Sequence, residues 1–299
     1  MDDTLAARLE LANLSDEEFV RRAYRLVLRR DPEPAAFERS VSRATLLAEL
    51  VSSDEFAELR ALDDALARAK DGPGRFLEAP ADLDERAIEV PWALSRLGSA
   101  RRVLDVGSAN AAPAYLAALL SAGVPELVGV DVADADVPGM RTVVADVRDL
   151  PFDDSSFDLV LCISTLEHVG RDNRVYGAAA ESAGGELEAL RELRRVTARA
   201  GTILVTVPTG EHQDHGWFVQ REPDRWNGLF LEAGLRVEDE EIYAVSEDGW
   251  RAAPDFDPDG VRYGDRGAGA VLCAALAPAG SARLLARRAR AAARSRGGG

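Results

Sequence analysis

Lysine is all but missing from these 299 residues: Lys70 is the single example, and 52 acidic side chains leave a net charge of -16. The basic side chains are otherwise arginine, as the coding bias of a GC-rich genome favours. So acidic a chain argues against a nucleic-acid surface, which needs clustered cations against phosphate. Cysteine is nearly absent too. Cys162 and Cys273 each sit inside an apolar strand pattern, make neither a disulfide framework nor a metal spacing, and are expected as core thiols. No apolar run reaches the roughly 18 residues of a membrane span, and Met1–Leu5 places no basic segment before an apolar one, so a cytoplasmic protein without a secretory signal is expected. No Gly-Lys-Ser/Thr phosphate loop occurs. Histidine is down to three, His168, His212 and His215.

What is present is organised around Arg102–Ala111. Val103–Val106 is an unalternating apolar run, suited to a parallel strand covered on both faces. Gly107 permits a sharp turn and close approach of a ligand, and Ala114–Leu120 supplies a helical apolar stripe. About 24 residues past Gly107 a second apolar run, Leu127–Val130, ends in Asp131, placed to bind both hydroxyls of a ribose. The spacing points to a nucleoside-containing cofactor. A dinucleotide site uses its later glycines to bring amides against a pyrophosphate, but here those positions are Ala109 and Ala111, and no Lys or Arg lies between Asp105 and Tyr115. Phosphate therefore fits poorly, whereas a cationic, phosphate-free cofactor such as S-adenosylmethionine suits a turn opened by Asp105.

Further stations follow in order. Thr142–Asp146, Leu150–Val160, Cys162–His168 and Ala200–Pro208 resemble, in this order, one known family's third strand with its terminal acid, the entry to its fourth strand, the exit from that strand, and its helix stop with the fifth strand. From Arg102 to about Ala277 the chain resembles a class I S-adenosylmethionine-dependent methyltransferase, of the kind grouped as methyltransferase type 11; it departs from the family pattern at Ala109 and Ala111. The resemblance implies an α/β fold with a Rossmann-like, seven-stranded, mostly parallel sheet and an antiparallel last strand. It also implies cofactor contacts at Asp105, Gly107, Ser108, Ala109, Asp131, Val132, Asp146, Val147 and Ser164, with Asp146 facing the adenine amino group.

The histidines locate the chemistry, because in such sheets ligands gather outside the carboxyl ends of the strands. His168 follows the fourth strand, and His212 and His215 follow the fifth. His168 or His215 is expected to take a proton from an acceptor hydroxyl. Alternatively, His212, Asp214 and His215 hold a divalent metal, a less favoured reading, or the three histidines only hydrogen-bond neighbouring loops. No Asn-Pro-Pro-Tyr motif follows the fourth strand, so the resemblance argues against an enzyme methylating amino groups of nucleic acid.

Around this core, residues 1–70 read as a small all-helical domain, 71–82 as a linker, 83–279 as the catalytic domain and 280–299 as a basic flexible tail with six arginines and no acid. Ser15 and Glu18 suggest a capping box. Phe19, Val20, Tyr24, Leu28, Arg30 and Pro32, followed by Leu47, Leu50, Ser53 and Phe56, form a pattern similar to a small helical bacterial domain found beside glycan-modifying enzymes. That likeness implies a docking module for a glycan-synthesis partner; the alternative is an amphipathic helical cap or dimerisation element, giving a homo-oligomer. Gly170–Gly185 reads as a loop, Glu186–Arg199 as a helix stopped by Gly201, 220–234 as another helix, and Leu235–Val245 with Ala268–Leu276 as the closing hairpin. Leu83–Leu97 reads as a helix with Trp92 in core packing, and Trp250, Phe256, Arg262 and Tyr263 are candidates for an acceptor pocket, the alternative being a plain surface excursion. The expected function is methyl transfer to a hydroxyl of a sugar, glycan precursor or small metabolite. The alternatives are a catalytically silent scaffold of a glycan-assembly complex and, third, an NAD-linked oxidoreductase.

Overall fold

The computed structural model describes residues 14–69, 77–174, 185–264 and 267–279. The basic tail, residues 71–76 of the expected linker and residues 175–184 lie outside them. Contacts divide the chain into two compact units. One is formed by the described residues up to Ala67 together with Ala111–Gly123, and the other by the remainder.

In the first unit, α1 (Asp16–Val27) opens with the capping box: Ser15 Oγ accepts the Glu18 N–H at 3.3 Å and the Glu18 carboxylate accepts the Ser15 N–H at 2.8 Å. Its buried Phe19, Ala23, Tyr24 and Val27 recur at helical spacing. They pack with residues from α2 (Pro34–Phe37), α3 (Arg43–Val51) and α4 (Asp54–Ala69). Ala114 and Ala117, on the helix that follows the glycine turn, complete this same core.

The second unit is built on one eight-stranded sheet of order β3-β2-β1-β4-β5-β10-β8-β9. After α5 (Arg86–Leu94) come β1 (Arg102–Val106), α6 (Pro113–Ser121, counted with the first unit), β2 (Glu126–Asp131), β3 (Arg141–Val144) and β4 (Phe157–Ile163). Then follow α7 (Gly185–Val196), β5 (Thr197–Pro208), the short hairpin β6 (Gln213–Asp214) and β7 (Val219–Gln220), α8 (Pro223–Glu232), β8 (Leu235–Ser246), β9 (Gly249–Ala252) and β10 (Ala270–Pro278). The strands from β3 to β5 run parallel, while β10 lies antiparallel between β5 and β8. β10 is buried along Ala270–Ala277 because sheet neighbours flank it on both sides. The core on one face gathers Leu104, Val130, Val160 and Val205 of the sheet with Leu190 and Leu193 of α7 and Trp226 and Phe230 of α8. Among the described residues no helix is long and apolar enough to cross a membrane. Both cysteines are free and buried.

Four sequence expectations are corrected here. The sheet has eight strands rather than seven, because Gly249–Ala252 folds back on β8 as an edge strand. Trp250 therefore lies in no acceptor pocket: it is 1% exposed, its backbone N–H donates to Ala79 O at 2.7 Å, and its indole N–H donates to Leu83 O at 2.9 Å. Gly201 does not stop α7, which ends at Val196. Gly201 is small because a Cβ there would lie 2.8 Å from the carbonyl oxygen of Asp158 on β4. The helix read over Leu83–Leu97 is confined to Arg86–Leu94, where Trp92 is fully buried and its indole N–H donates to Glu241 at 3.1 Å.

Candidate active site

Each strand from β1 to β5 ends on the same side of the parallel sheet, and the predicted residues collect there. Gly107 follows β1 with φ +90°, and a Cβ on it would meet Thr165 Oγ1 at 2.5 Å and Thr165 Cγ2 at 3.1 Å. Thr165 is itself held, its hydroxyl 2.8 Å from Ile163 O and 3.1 Å from Val106 O. The turn continues as a short 3-10 segment, Ser108–Asn110. Ala109 and Ala111 are not among the residues with positive φ, so the turn requires only its first glycine. Ser108 is buried, its Oγ standing where a Cβ on Gly129 would fall, at 2.6 Å. Gly107→Ala should therefore lose about 1 to 3 kcal/mol of stability from the φ constraint and the contact together. Adding Thr165→Ala should restore the steric part alone, and urea unfolding of the two single variants and the double variant separates the terms.

Asp131, at the end of β2, accepts two backbone hydrogens: Ala109 N–H at 2.9 Å on Oδ2 and Ala133 N–H at 3.0 Å on Oδ1. Its carboxylate thus ties the glycine turn to the β2 exit. Val132 beside it is 40% exposed, the most accessible apolar group at this rim apart from Val144. Asp146 accepts the backbone N–H of Arg148 and forms a two-pronged ion pair with its guanidinium at 2.6 to 3.1 Å, which holds the carboxyl below the usual range. Val147 is buried. Asp105, in the middle of the sheet, is 2% exposed. Ser164 leaves β4 with φ +48°, a conformation that costs an L-residue energy, and its N–H donates to Thr206 O and Oγ1, both at 3.1 Å.

The structure brings His168 and His215 to one aromatic layer and leaves His212 apart. His168 Nδ1 lies 3.0 Å from Trp217 O, and its ring tilts against Trp217 at 5.1 Å and Phe218 at 5.9 Å. The tautomer that donates Nδ1–H to this carbonyl makes Nε2 the acceptor. Burial, with a smaller contribution from Arg86, lowers the imidazole to about 4, against the opposing pull of the Trp217 carbonyl. At neutral pH the ring is uncharged. His215 stacks flat on Phe218, centroids 4.4 Å apart and planes 3° from parallel, with Tyr263 4.6 Å from Phe218. Tyr263 thus joins the layer, while Arg262 pairs with Glu211 at 2.6 Å. The alternative metal site is corrected. His212 Nδ1 is engaged at Gln220 O at 3.1 Å, Asp214 pairs with Arg171 at 2.6 Å, and among the described residues no group of three His, Cys, Asp or Glu is placed to hold a metal ion.

Sequence reasoning missed a carboxyl group beside this layer. Glu89 on α5 is fully buried, and Glu167 in the turn after β4 is 2% exposed. Both are pushed well above the carboxylate range, first by desolvation and then by their neighbouring carboxyls, Glu85 on Glu89 and Glu89 on Glu167. Glu167 Oε1 stands 3.9 Å from His168 Nε2. Glu85 is anchored, its Oε2 accepting Ala268 N–H at 3.1 Å. The one available signal was a lone carboxylate inside the apolar run Ile88–Leu94.

Residues 104–205 match the family described as a methyltransferase domain. That stretch runs from β1 into β5 of the sheet and resembles a class I methyltransferase domain. Among solved structures the chain is similar to a Haloferax volcanii putative methyltransferase in complex with the Trm112 methyltransferase activator, at 19% identity and a TM-score of 0.44 over 74% of this chain and 97% of that one. It is also similar to the Burkholderia thailandensis 1,6-didemethyltoxoflavin-N1-methyltransferase, at 15% identity and a TM-score of 0.44 over 89% and 92%. A curated but uncharacterized protein of Methanocaldococcus jannaschii is 39% identical over 67 residues, 22% of this chain, and the match spans 23% of that protein's length.

Proposed function

We propose that the protein is an S-adenosylmethionine-dependent methyltransferase acting on a hydroxyl of a sugar, glycan precursor or other small metabolite. The observation that carries the cofactor reading is the carboxylate of Asp131, fixed to the turn by Ala109 N–H and standing at the β2 exit, where a ribose diol would find its acceptor. The residues fit the cofactor in three further respects: Gly107 keeps the turn open, Val132 offers an apolar surface, and no cation of the turn calls for phosphate. Asp105, Ser108, Asp146, Val147 and Ser164 complete the set assigned to the cofactor. When bound, the cofactor supplies an activated methyl group.

The protein's own part is positioning and proton transfer. Orientation of an acceptor oxygen is worth about 7 to 11 kcal/mol in favourable cases. His168, neutral and with Nε2 as its acceptor nitrogen, takes the hydroxyl proton, and His215 with Phe218 and Tyr263 forms a wall of the acceptor site. The sugar component rests on the pattern in the N-terminal helices, which we assign as the docking element for a glycan-synthesis partner or a second copy.

Calorimetric titration with S-adenosylhomocysteine, with NAD in parallel, is the direct test. Saturable binding of the first and none of the second is expected. Asp131→Ala should weaken it by about 1.5 to 3 kcal/mol, the size of a hydrogen bond to a charged acceptor, or roughly 10- to 150-fold. Binding of neither ligand would transfer the assignment to a silent scaffold, the reading that the alanines at 109 and 111 otherwise suggest.

A further inference from the structure

The opposite end of the sheet carries a second, differently charged feature. A cleft of about 400 Å³ opens where the parallel strands begin, lined by Asp154 and Ser155 before β4, Arg191, Arg194 and Arg195 of α7, and Thr197 and Arg199 at the start of β5. It lies at the far ends of the strands whose carboxyl ends carry Gly107, Asp131, Ser164 and His168. The seven residues of β4 alone separate the two poles by roughly 20 Å. The cleft is therefore independent of the methyl-transfer site.

Its arginines are not equivalent. Arg195 is spent internally, bound to Glu192 at 2.7 Å, Asp154 at 2.9 Å and the carbonyls of Phe152 and Leu150, so it builds the wall. Arg191 meets Glu232 only at 3.9 Å, with both side chains more than half exposed, a pair worth little. Among the described residues, neither Arg194 nor Arg199 has a carboxylate at ion-pair distance. In a chain with 52 acids to 36 basic residues, gathering three weakly neutralised guanidinium groups around one cavity runs against the overall balance. Arg194 is held in place by a missing side chain: a Cβ on Gly234 would stand 3.2 Å from its Cζ and Nη1. Ser155 adds a hydroxyl from a residue at φ +60°, kept there by its N–H to Arg195 O at 2.9 Å. Ala279, just past β10, also lines the cleft.

We propose that this cleft binds a small anion carrying two or more phosphate groups. Guanidinium forks match phosphate oxygens in pairs, and the volume lies in the range of small-ligand sites. The net charge of -16 selects against a nucleic acid or an anionic membrane, whose extended charge would face the acidic body, whereas a compact anion inside the cleft is shielded from that body beyond a Debye length of about 8 Å.

The test is titration of the full chain with pyrophosphate at physiological salt, followed by calorimetry, with inorganic phosphate, a single-stranded oligonucleotide and phosphatidylglycerol vesicles as comparison arms. Saturable pyrophosphate binding, tighter than phosphate, is expected. Arg194→Ala and Arg199→Ala should each weaken it about tenfold or more, the loss of one charge-assisted pair of contacts. Arg194→Lys should not restore it, and S-adenosylhomocysteine binding should stay at the wild-type level in every variant. Arg199 is exposed at a strand start, so its variant keeps the test valid if Arg194→Ala perturbs α7. No saturable pyrophosphate binding, or binding indifferent to both arginines, overturns the proposal. Tighter binding of the oligonucleotide or the vesicles overturns it in favour of a macromolecular partner.

Discussion

His168→Ala should lower turnover by about 10²- to 10⁴-fold, the range of a general base, and leave S-adenosylhomocysteine affinity within about twofold. Turnover here means release of S-adenosylhomocysteine with an acceptor found by screening hydroxylated sugars and phenols. The imidazole is held to about 4 chiefly by burial, and the pH profile follows from that. The active form is the neutral ring, so activity should be flat from pH 6 to 8 as far as this group is concerned, and fall only as pH drops toward 4. A histidine at its ordinary value would begin losing activity near 6.5. An acid limb centred there and abolished in the alanine variant would place His168 in a wetter setting than its contacts with Trp217 and Phe218. Unchanged turnover in His168→Ala would remove it from the chemistry and leave His215 as the base.

The buried carboxyl pair gives the second large effect. Glu89 is raised to about 8, with desolvation the leading cause and the charge of Glu85 the next, and Glu167 is raised in the same direction with Glu89 among its causes. Each of these acids holds its proton in the folded state at pH values where the unfolded chain has lost it. Such a group favours folding least at high pH: the unfolded state binds fewer protons, so stability declines as pH rises from about 4.5 to about 8. The decline amounts to about 1.4 kcal/mol per pH unit for one group. Glu89→Gln keeps the shape and removes the ionisation. It should leave stability at pH 4 nearly unchanged, raise it by a few kcal/mol at pH 8, and flatten the slope between them, as read from urea midpoints at a series of pH values. It should also let Glu167 ionise more readily, because one charged neighbour is gone. A slope identical to wild type would mean that Glu89 is paired more fully than its burial indicates.

The order of the strands and the acidic stations was legible because each depends on a local rule. A parallel strand buried on both faces reads as an apolar run without alternation, as in Leu159–Ile163 and, apart from Asp105, in Val103–Val106, and a strand exit that must turn at positive φ needs a residue such as Gly107. The capping box at Ser15 and Glu18 is equally local. The carboxyls were not legible, because what makes Glu89 unusual is the contact of α5 with the ends of β4 and β5, tens of residues away in sequence. Trp250 misled for a related reason. An aromatic in a Gly- and Asp-rich stretch looks like pocket lining until β9 folds onto β8 and places it under the backbone of Ala79 and Leu83. Gly201 shows the same limit in reverse: a glycine near a helix end suggests a stop, and the close backbone of β4 was the true reason for it. His168 and His215 were placed on adjacent strand exits, but their meeting at Phe218 depends on the small β6-β7 hairpin, whose two-residue strands carry no periodic signal.

The helix that leaves the glycine turn gives Ala114 and Ala117 to the core formed by Phe19, Tyr24, Leu47 and Leu50. The chain is thus interlaced, with the amino-terminal helices closing over a segment that sequence order would grant to the catalytic half. A version cut at residue 70 would strip those alanines of their cover. A partner that gripped the first helices would also have hold, through Ala111, of the chain only four residues downstream of Gly107.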